Sequence, residues 1–173
     1  MDTTHLEKKA KDLRKKVLDL ALEEGEAHLG GSFSEIEILV SLYDSILKPH
    51  DKFILSKGHA CLPWYTLLKE KGYNPKIATH PDRDEQNGIY CTTGSLGHGL
   101  PISLGFALAR PDDHIYVMIS DGEISEGSLW ESFRLLKNSG KFKNMTIILS
   151  CNGWAAYDQT DYHSIKQQLS GFF

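Results

Sequence analysis

The stretch "HIYVMISDGEISEG", residues 114–127, decides the fold. Ile115 to Ile119 make a continuous apolar run of β-branched and aromatic residues, typical of a strand buried on both faces of a parallel sheet. The run ends abruptly in Asp121 and Gly122, where neither residue helps packing. A helical segment follows over 126–139, then a second β-rich run, "MTIILSC" at 145–151, which ends in Asn152 and Gly153. Strands alternating with helices signal a parallel sheet with crossover helices. In such sheets ligands bind outside the carboxyl ends of the strands. Asp121 and Asn152 sit at two of those ends, and one right-handed crossover would make them neighbours.

The rest of the chain fits around this pair. Leu6, Ala10, Leu13, Val17, Leu20 and Ala21 recur at helical spacing and predict an amphipathic helix over 5–25, ended by Gly25. "HLGGS" (28–32) reads as a glycine-bearing loop. Ser34 followed by Glu37 is a capping-box spacing that opens a second helix over 35–47. Lys52 to Leu55 predict a short strand, with a turn at 56–59 and a helix to about Lys71. Residues 72–91, with Pro75, Pro81 and Gly88, read as loop. "TTGSLGHG" (92–99) is a glycine-rich entry into a helix that tolerates Pro101 in its first turn.

Bulk properties narrow the class. The 173 residues are 40% hydrophobic and 24% charged, with a net charge of −4. That balance gives no basic footprint for nucleic acid, and no apolar run approaches the roughly 20 residues of a membrane span. The charged N-terminus has no signal-type apolar core, so the cytoplasm is the expected compartment. Cys61, Cys91 and Cys151 are odd in number and lack a CxxC pair, which argues against a zinc knuckle or a disulfide framework.

Asp121 and Asn152 offer a carboxylate and an amide oxygen. With a backbone carbonyl they make half an octahedral oxygen shell, the kind Mg²⁺ completes with phosphate and water. Gly122 lets backbone approach a phosphate, and the helix that starts near Glu126 adds a positive dipole end. Taken singly, each residue also fits an ordinary cap or turn. His28, His59, His80 and His98 all stand in loop-like settings beside glycine or proline, where they can donate to phosphate or sugar hydroxyls and move protons near neutral pH. His5, His50, His114 and His163 read as solvated surface residues.

Five strings carry a family resemblance: "AHLGGSFSEIEILVSLYD", "DKFILSKGHACLPWYTLL", "TTGSLGHGLPISLGFALA", "SDGEISEGSLWES" and "TIILSCNGW". The last two resemble the thiamine-diphosphate motif, and the first three, in the same order, resemble transketolase segments. The resemblance runs from about residue 8 to 165. It implies an α/β fold: a three-layer sandwich with a mostly parallel sheet flanked by helices, cut short at its C-terminus. It implies one diphosphate-binding domain over 1–173, without the pyrimidine-binding and C-terminal domains. It implies thiamine diphosphate as cofactor with Mg²⁺ or Ca²⁺. The metal would be held by Asp121, the Asn152 side chain and the Trp154 carbonyl. His59 and Gly122 would contact the diphosphate, and Gly94 and Leu96 would line the thiazolium and pyrimidine. Glu126 resembles the glutamate of a buried acidic network between cofactor sites. His28, His80 and His98 would face the reacting carbons of the sugar. The implied reaction is two-carbon ketol transfer from a ketose to an aldose, with sugar phosphates as substrates and the cofactor as electron sink.

Two departures bear on that reading. Ser120 stands where the motif has its leading glycine. A serine fits if its φ is negative, and its hydroxyl then either reaches a phosphate or crowds the diphosphate. Cys151 precedes Asn152 where an Asp or Asn is usual. In the family, the glutamate that activates the cofactor's pyrimidine comes from the pyrimidine-binding domain, which has no counterpart here. The expectation is a subunit that needs such a partner chain, within a homo- or hetero-oligomer. Two alternatives stand beside it: a non-catalytic remnant or interaction protein that keeps the fold, and a subunit of another thiamine-diphosphate carboligase such as a deoxyxylulose phosphate synthase relative.

Overall fold

A computed structural model describes residues 3–26 and 28–172. The chain divides into two compact units, Met1–Pro49 with Gly58–Thr92, and His50–Lys57 with Thr93–Phe173.

The first unit is helical. Helix α1 (Thr4–Glu24) turns Ala10, Leu13, Val17 and Ala21 inward, the face that the sequence period predicts. It ends at Gly25, whose φ of 71° lets its N–H return to Ala21 O. The "HLGGS" segment is not a loop: Leu29–Phe33 form a short helix, α2, with Ser32 Oγ donating to His28 O at 2.8 Å. The expected capping box does not form either. Helix α3 (Ile36–Ser41) starts after Glu35 with no side-chain cap bond, Ser34 Oγ donates to Gly31 O, and the exposed Glu37 pairs with Arg14 at 2.6 Å. The helix continues as a π-turn over Leu42–Ile46, so the predicted 35–47 span holds with a change of winding. Helix α4 (Leu62–Glu70) buries Trp64, Tyr65, Leu67 and Leu68, and α1 packs against both α3 and α4. Each buried side chain of that size contributes about 1.5–3 kcal/mol. The Trp64 indole N–H donates to the Tyr43 hydroxyl at 2.5 Å, which lets a large polar-tipped ring sit in the core.

The second unit carries the sheet. Strands β1 (Lys52–Leu55), β2 (Ile115–Ser120) and β3 (Met145–Ser150) pair in parallel in the order β1-β2-β3. Ile54 pairs with Val117, and Val117 with Ile147. The central strand is buried at Ile115, Val117, Met118 and Ile119, as its uninterrupted apolar run predicts. Helix α5 (Gly99–Ala109) packs on β1 and β2, and α6 (Gly127–Ser139) packs on α5. Helix α7 (Tyr162–Leu169) follows a capping bond from His163 N to the Asp161 carboxylate. This is an α/β fold, a parallel sheet flanked by helices.

Strand β3 forms where the sequence predicts a strand, but it is less buried than β2. Only Ser150 is buried, and the five apolar or threonine positions before it are half-exposed. Beside β3 lies a groove of about 670 Å³ lined by Ile119, Phe133, Phe142, Ile147, Leu149 and Phe172, among others. His114 is also not a solvated residue. It is half-buried, its Nε2 lies 2.8 Å from Thr146 Oγ1, and its ring rests on Tyr116. Among the described residues no helix is long and apolar enough to cross a membrane.

Candidate active site

The carboxyl ends of all three strands lie in the second unit. Ser56 and Lys57 follow β1, Ser120 and Asp121 close β2, and Ser150 and Asn152 close β3. The parallel register carries the alignment to the end: Ser120 pairs with Ser150, and Asp121 N donates to Ser150 O at 3.1 Å. Asp121 and Asn152 are therefore neighbours, as the crossover argument requires.

Asp121 is only 2% exposed and its carboxylate organises the loop that leaves β3. Oδ2 accepts from Asn152 N at 3.2 Å, from Gly153 N at 2.9 Å and from Thr160 Oγ1 at 2.5 Å. Among the described residues, Oδ1 accepts from the adjacent Gly122 N alone, at 3.2 Å. One oxygen is thus committed to the loop while the other keeps acceptor capacity. Asn152 is exposed, and its Oδ1 accepts from Trp154 N at 2.9 Å. The segment 153–160 folds back as a small hairpin. Thr160 N donates to Gly153 O, Ala155 N donates to Asp158 O, and Trp154 pairs with Gln159. Tyr157 is fully exposed at its tip. Gly122 is required by close approach: a Cβ there would lie 3.2 Å from Ala155 Cα.

A second carboxylate, missed in the sequence, is buried beside the first. Glu123 is 0% exposed. Its Oε1 accepts from Ser56 Oγ at 2.5 Å and Gly97 N at 2.9 Å, and its Oε2 accepts from Ser120 N at 2.9 Å. Glu123 N donates in turn to Ser120 Oγ at 3.3 Å. Ser120 and Glu123 form a reciprocal capping box across the 3-10 turn Gly122–Ser125. This shows what the serine in the motif's glycine position bonds to. Among the described residues no non-glycine has positive φ, and the Ser120 hydroxyl is turned to Glu123. Lys57 is also buried, with Nζ donating to Ser150 Oγ at 3.1 Å, which links the ends of β1 and β3.

The glycine-rich segment approaches the same strand ends. Gly94 and Gly97 have φ of 135° and 79°. Gly97 is held at both backbone groups, its N–H by Glu123 and its carbonyl by Ser128 Oγ at 2.8 Å. A Cβ on Gly97 would lie 2.6 Å from Glu126 Cβ. Leu96 is half-buried, and His98 is exposed at the cap of α5. Glu126, half-buried, caps α6.

The other three histidines belong to the first unit. His28 and His59 have ring centroids 5.9 Å apart, and α2 comes close enough that a Cβ on Gly31 would touch the His59 ring at 3.4 Å. The Glu26 carboxylate lies 3.7 Å from His28 Nδ1 and accepts from the Thr79 hydroxyl, next to the exposed His80. Cys61 Sγ lies 3.4 Å from the carbonyls of Ala78 and Thr79 and pins that segment. Glu26 and Thr79 have no local sequence signal, because they meet across 53 residues.

The donor set suits a hard cation. Among the described residues no three His, Cys, Asp or Glu side chains cluster as a metal site. A cation here would take one carboxylate oxygen, the Asn152 amide oxygen and a loop carbonyl, with the remaining positions left to phosphate and water. That is the pattern Mg²⁺ favours over an all-protein cage. The acceptor capacity left on Asp121 Oδ1, which takes one backbone N–H, therefore fits a metal–diphosphate group.

The thiols are not reactive features. Burial pushes the Cys61 thiol up to about 12 and Cys91 to about 11. The exposed Cys151 is also raised, by partial desolvation first and by the Asp121 charge second. A maleimide at pH 7 is expected to label Cys151 at least ten times faster than Cys61, because the buried thiol offers neither access nor thiolate. Mass spectrometry of the labelled chain checks this, and equal labelling would contradict it.

Comparison with known proteins completes the description. The family model described as 1-deoxy-D-xylulose-5-phosphate synthase matches residues 1–161. An apulose-4-phosphate transketolase subunit from Actinobacillus succinogenes is 36% identical, covering 96% of this chain and 65% of that protein. The 6-deoxy-6-sulfo-D-fructose transketolase subunit SqwG of Clostridium sp. (strain MSTE9) is 38% identical over 73% of this chain and 55% of that protein. The chain thus spans about two thirds or less of the length of these relatives. A solved transketolase from Leishmania mexicana superposes with a TM-score of 0.83 at 24% identity, covering 96% of this chain and 31% of that one.

Proposed function

The chain belongs to the transketolase family, as an N-terminal domain of the thiamine-diphosphate type, and from that premise we propose that it holds the diphosphate of Mg–thiamine diphosphate and serves two-carbon ketol transfer from a ketose to an aldose. The observation that carries the reading is Asp121, a buried carboxylate at a strand end with one oxygen bound to the β3 loop and the other left with acceptor capacity.

In this reading Asp121, Asn152 and the Trp154 carbonyl hold Mg²⁺ or Ca²⁺. Gly122 and His59 contact the diphosphate, Gly94 and Leu96 line the ring system, and Glu126 belongs to an acidic network that links two cofactor sites. His28, His80 and His98 donate to the sugar's carbonyl and hydroxyls and pass protons. When bound, the cofactor supplies the electron sink for breaking and remaking the carbon–carbon bond. The protein's own part is to bind, orient and exclude water.

The names of the relatives favour two refinements. Both denote transketolase subunits, so the proposed enzyme is completed by a separate chain with a pyrimidine-binding domain. One name specifies a phosphorylated sugar and the other a sulfonated one, so the proposed donor is a ketose with an anionic end group. The experiment is a ketol-transfer assay on sugar phosphates, with this chain alone and with its partner. Turnover is expected only with both chains, and full turnover by this chain alone would overturn the two-chain reading. The family model favours a second reading, another thiamine-diphosphate carboligase. Cofactor binding without ketose turnover by the pair selects it.

A further inference from the structure

We infer that Glu123 is a positioning residue, which ties the glycine-rich 94–97 loop to the end of β2 and fixes the spacing between two walls of the site. This rests on the cofactor reading above, in which Asp121 and Gly122 take the diphosphate and Gly94 and Leu96 take the rings.

A capping box needs only one carboxylate oxygen. Oε2 of Glu123 fills that role, on Ser120 N. Oε1 reaches out of the turn to segments 26 and 67 residues away, accepting from Gly97 N and Ser56 Oγ. The buried carboxylate is thus surrounded by donors from three separate segments, the arrangement of an acceptor-only group. Ser56 gives its one hydroxyl proton to Glu123, so its oxygen faces Gly99 N as an acceptor, at 3.2 Å. That adds the first residue of α5 to the same knot.

Gly97 has no second seat. Ser128 holds its carbonyl, and Glu126 and Ser128 fill the space where a side chain would be. Without Glu123, Gly97 keeps its bond to Ser128 but loses its tie to the end of β2, while Asp121 stays anchored separately through Gly153 and Thr160. A local cap alone would loosen only its own turn.

Glutamine at this position keeps the size but replaces one acceptor with a donor. Whichever way the amide turns, either Gly97 N–H or Ser120 N–H faces another N–H.

The test compares the chain with Glu123→Gln, titrating Mg–thiamine diphosphate and Mg–pyrophosphate by calorimetry. Amide exchange at Gly97 and Ser120 is followed alongside. Glu123→Gln is expected to weaken thiamine diphosphate at least about tenfold, to leave pyrophosphate within about threefold, and to speed exchange at one or both amides. An equal loss for both ligands, or unchanged thiamine diphosphate affinity in a folded variant, overturns the positioning role. Unchanged amide exchange overturns the tie itself. If the unaltered chain binds neither ligand, the cofactor reading fails and the role with it, while the exchange data still show whether the tie exists. Should Glu123→Gln not fold, Ser56→Ala carries the same test. It removes one donor to Oε1 and the acceptor of Gly99 N but leaves the Ser120 box and the Gly97 bond, so a smaller loss with the same preference for thiamine diphosphate is expected, and an equal loss for both ligands overturns the role.

Discussion

Asp121→Asn is expected to lower Mg-dependent thiamine diphosphate affinity by roughly 100-fold, about 2.8 kcal/mol. The substitution keeps the shape of the side chain. It removes the negative charge that the cation needs and puts an NH₂ where a carboxylate oxygen now stands. Oδ2 accepts from Gly153 N, Asn152 N and Thr160 Oγ1, so an amide turned to serve those donors points its NH₂ toward Gly122 and the cation position. Turned the other way, it leaves the hairpin's donors unpaired. Asp121→Ala is the cruder variant. The sequence alone suggests that it leaves the fold largely intact, but three bonds to segment 152–160 depend on this one oxygen. Alanine is expected to release that hairpin as well as the metal. Calorimetry with and without Mg²⁺, with amide exchange at Gly153, separates the two effects. Affinity unchanged in Asp121→Asn would remove Asp121 from the site.

Gly99→Ala is expected to lower the melting temperature by roughly 5–10 °C, taking an overpacking cost of about 1–3 kcal/mol or more and about 2–4 °C per kcal/mol for a chain of this size. The first residue of α5 lies directly against the end of β1. A Cβ on Gly99 would stand 2.6 Å from Ser56 Cα, and nearer still to Ser56 Cβ and Oγ. Ser56 cannot move aside as a flexible chain end would, because its backbone N–H donates to Met118 O at 2.8 Å and its hydroxyl is bound to Glu123. The strain falls on the joint between β1, α5 and Glu123, so this variant is also expected to weaken cofactor binding. By contrast Gly105→Ala, on the open face of the same helix, meets nothing within 4 Å. It is the control expected to keep or slightly raise stability. Thermal unfolding followed by circular dichroism compares the pair, and equal melting temperatures would contradict the packing account.

Much of the fold was legible because it rests on local pattern. The inward face of α1, the bounds of β1 and the apolar run of β2 all follow from periodicity and burial. The nearness of Asp121 and Asn152 was legible because alternating strands and helices bring adjacent parallel strand ends together. What was missed depends on partners far along the chain: Glu123 on Ser56, Asp121 on Thr160, Glu26 on Thr79. A pair of Ser-x-x-Glu spacings makes the point sharply. At Ser34 and Glu37 the spacing predicts a box, yet Glu37 is exposed and pairs with Arg14. At Ser120 and Glu123 the same spacing went unread, and there the box forms, because burial leaves the carboxylate only backbone and hydroxyl donors. Spacing permits a cap, and the environment decides whether it is used.

Strand β3 forms where the sequence places it, and its partial exposure has a related cause. Its residues are as apolar as those of β2, but only β2 has a strand on each side. Periodicity reports what a strand can bury, and neighbours determine what it does bury.

The most direct measurement is a calorimetric titration of the chain with thiamine diphosphate, run once with Mg²⁺ and once with the metal chelated. The account predicts one site per chain that binds only with Mg²⁺ and is lost in Asp121→Asn. Binding of equal strength without the metal, or no heat in either run, would contradict it.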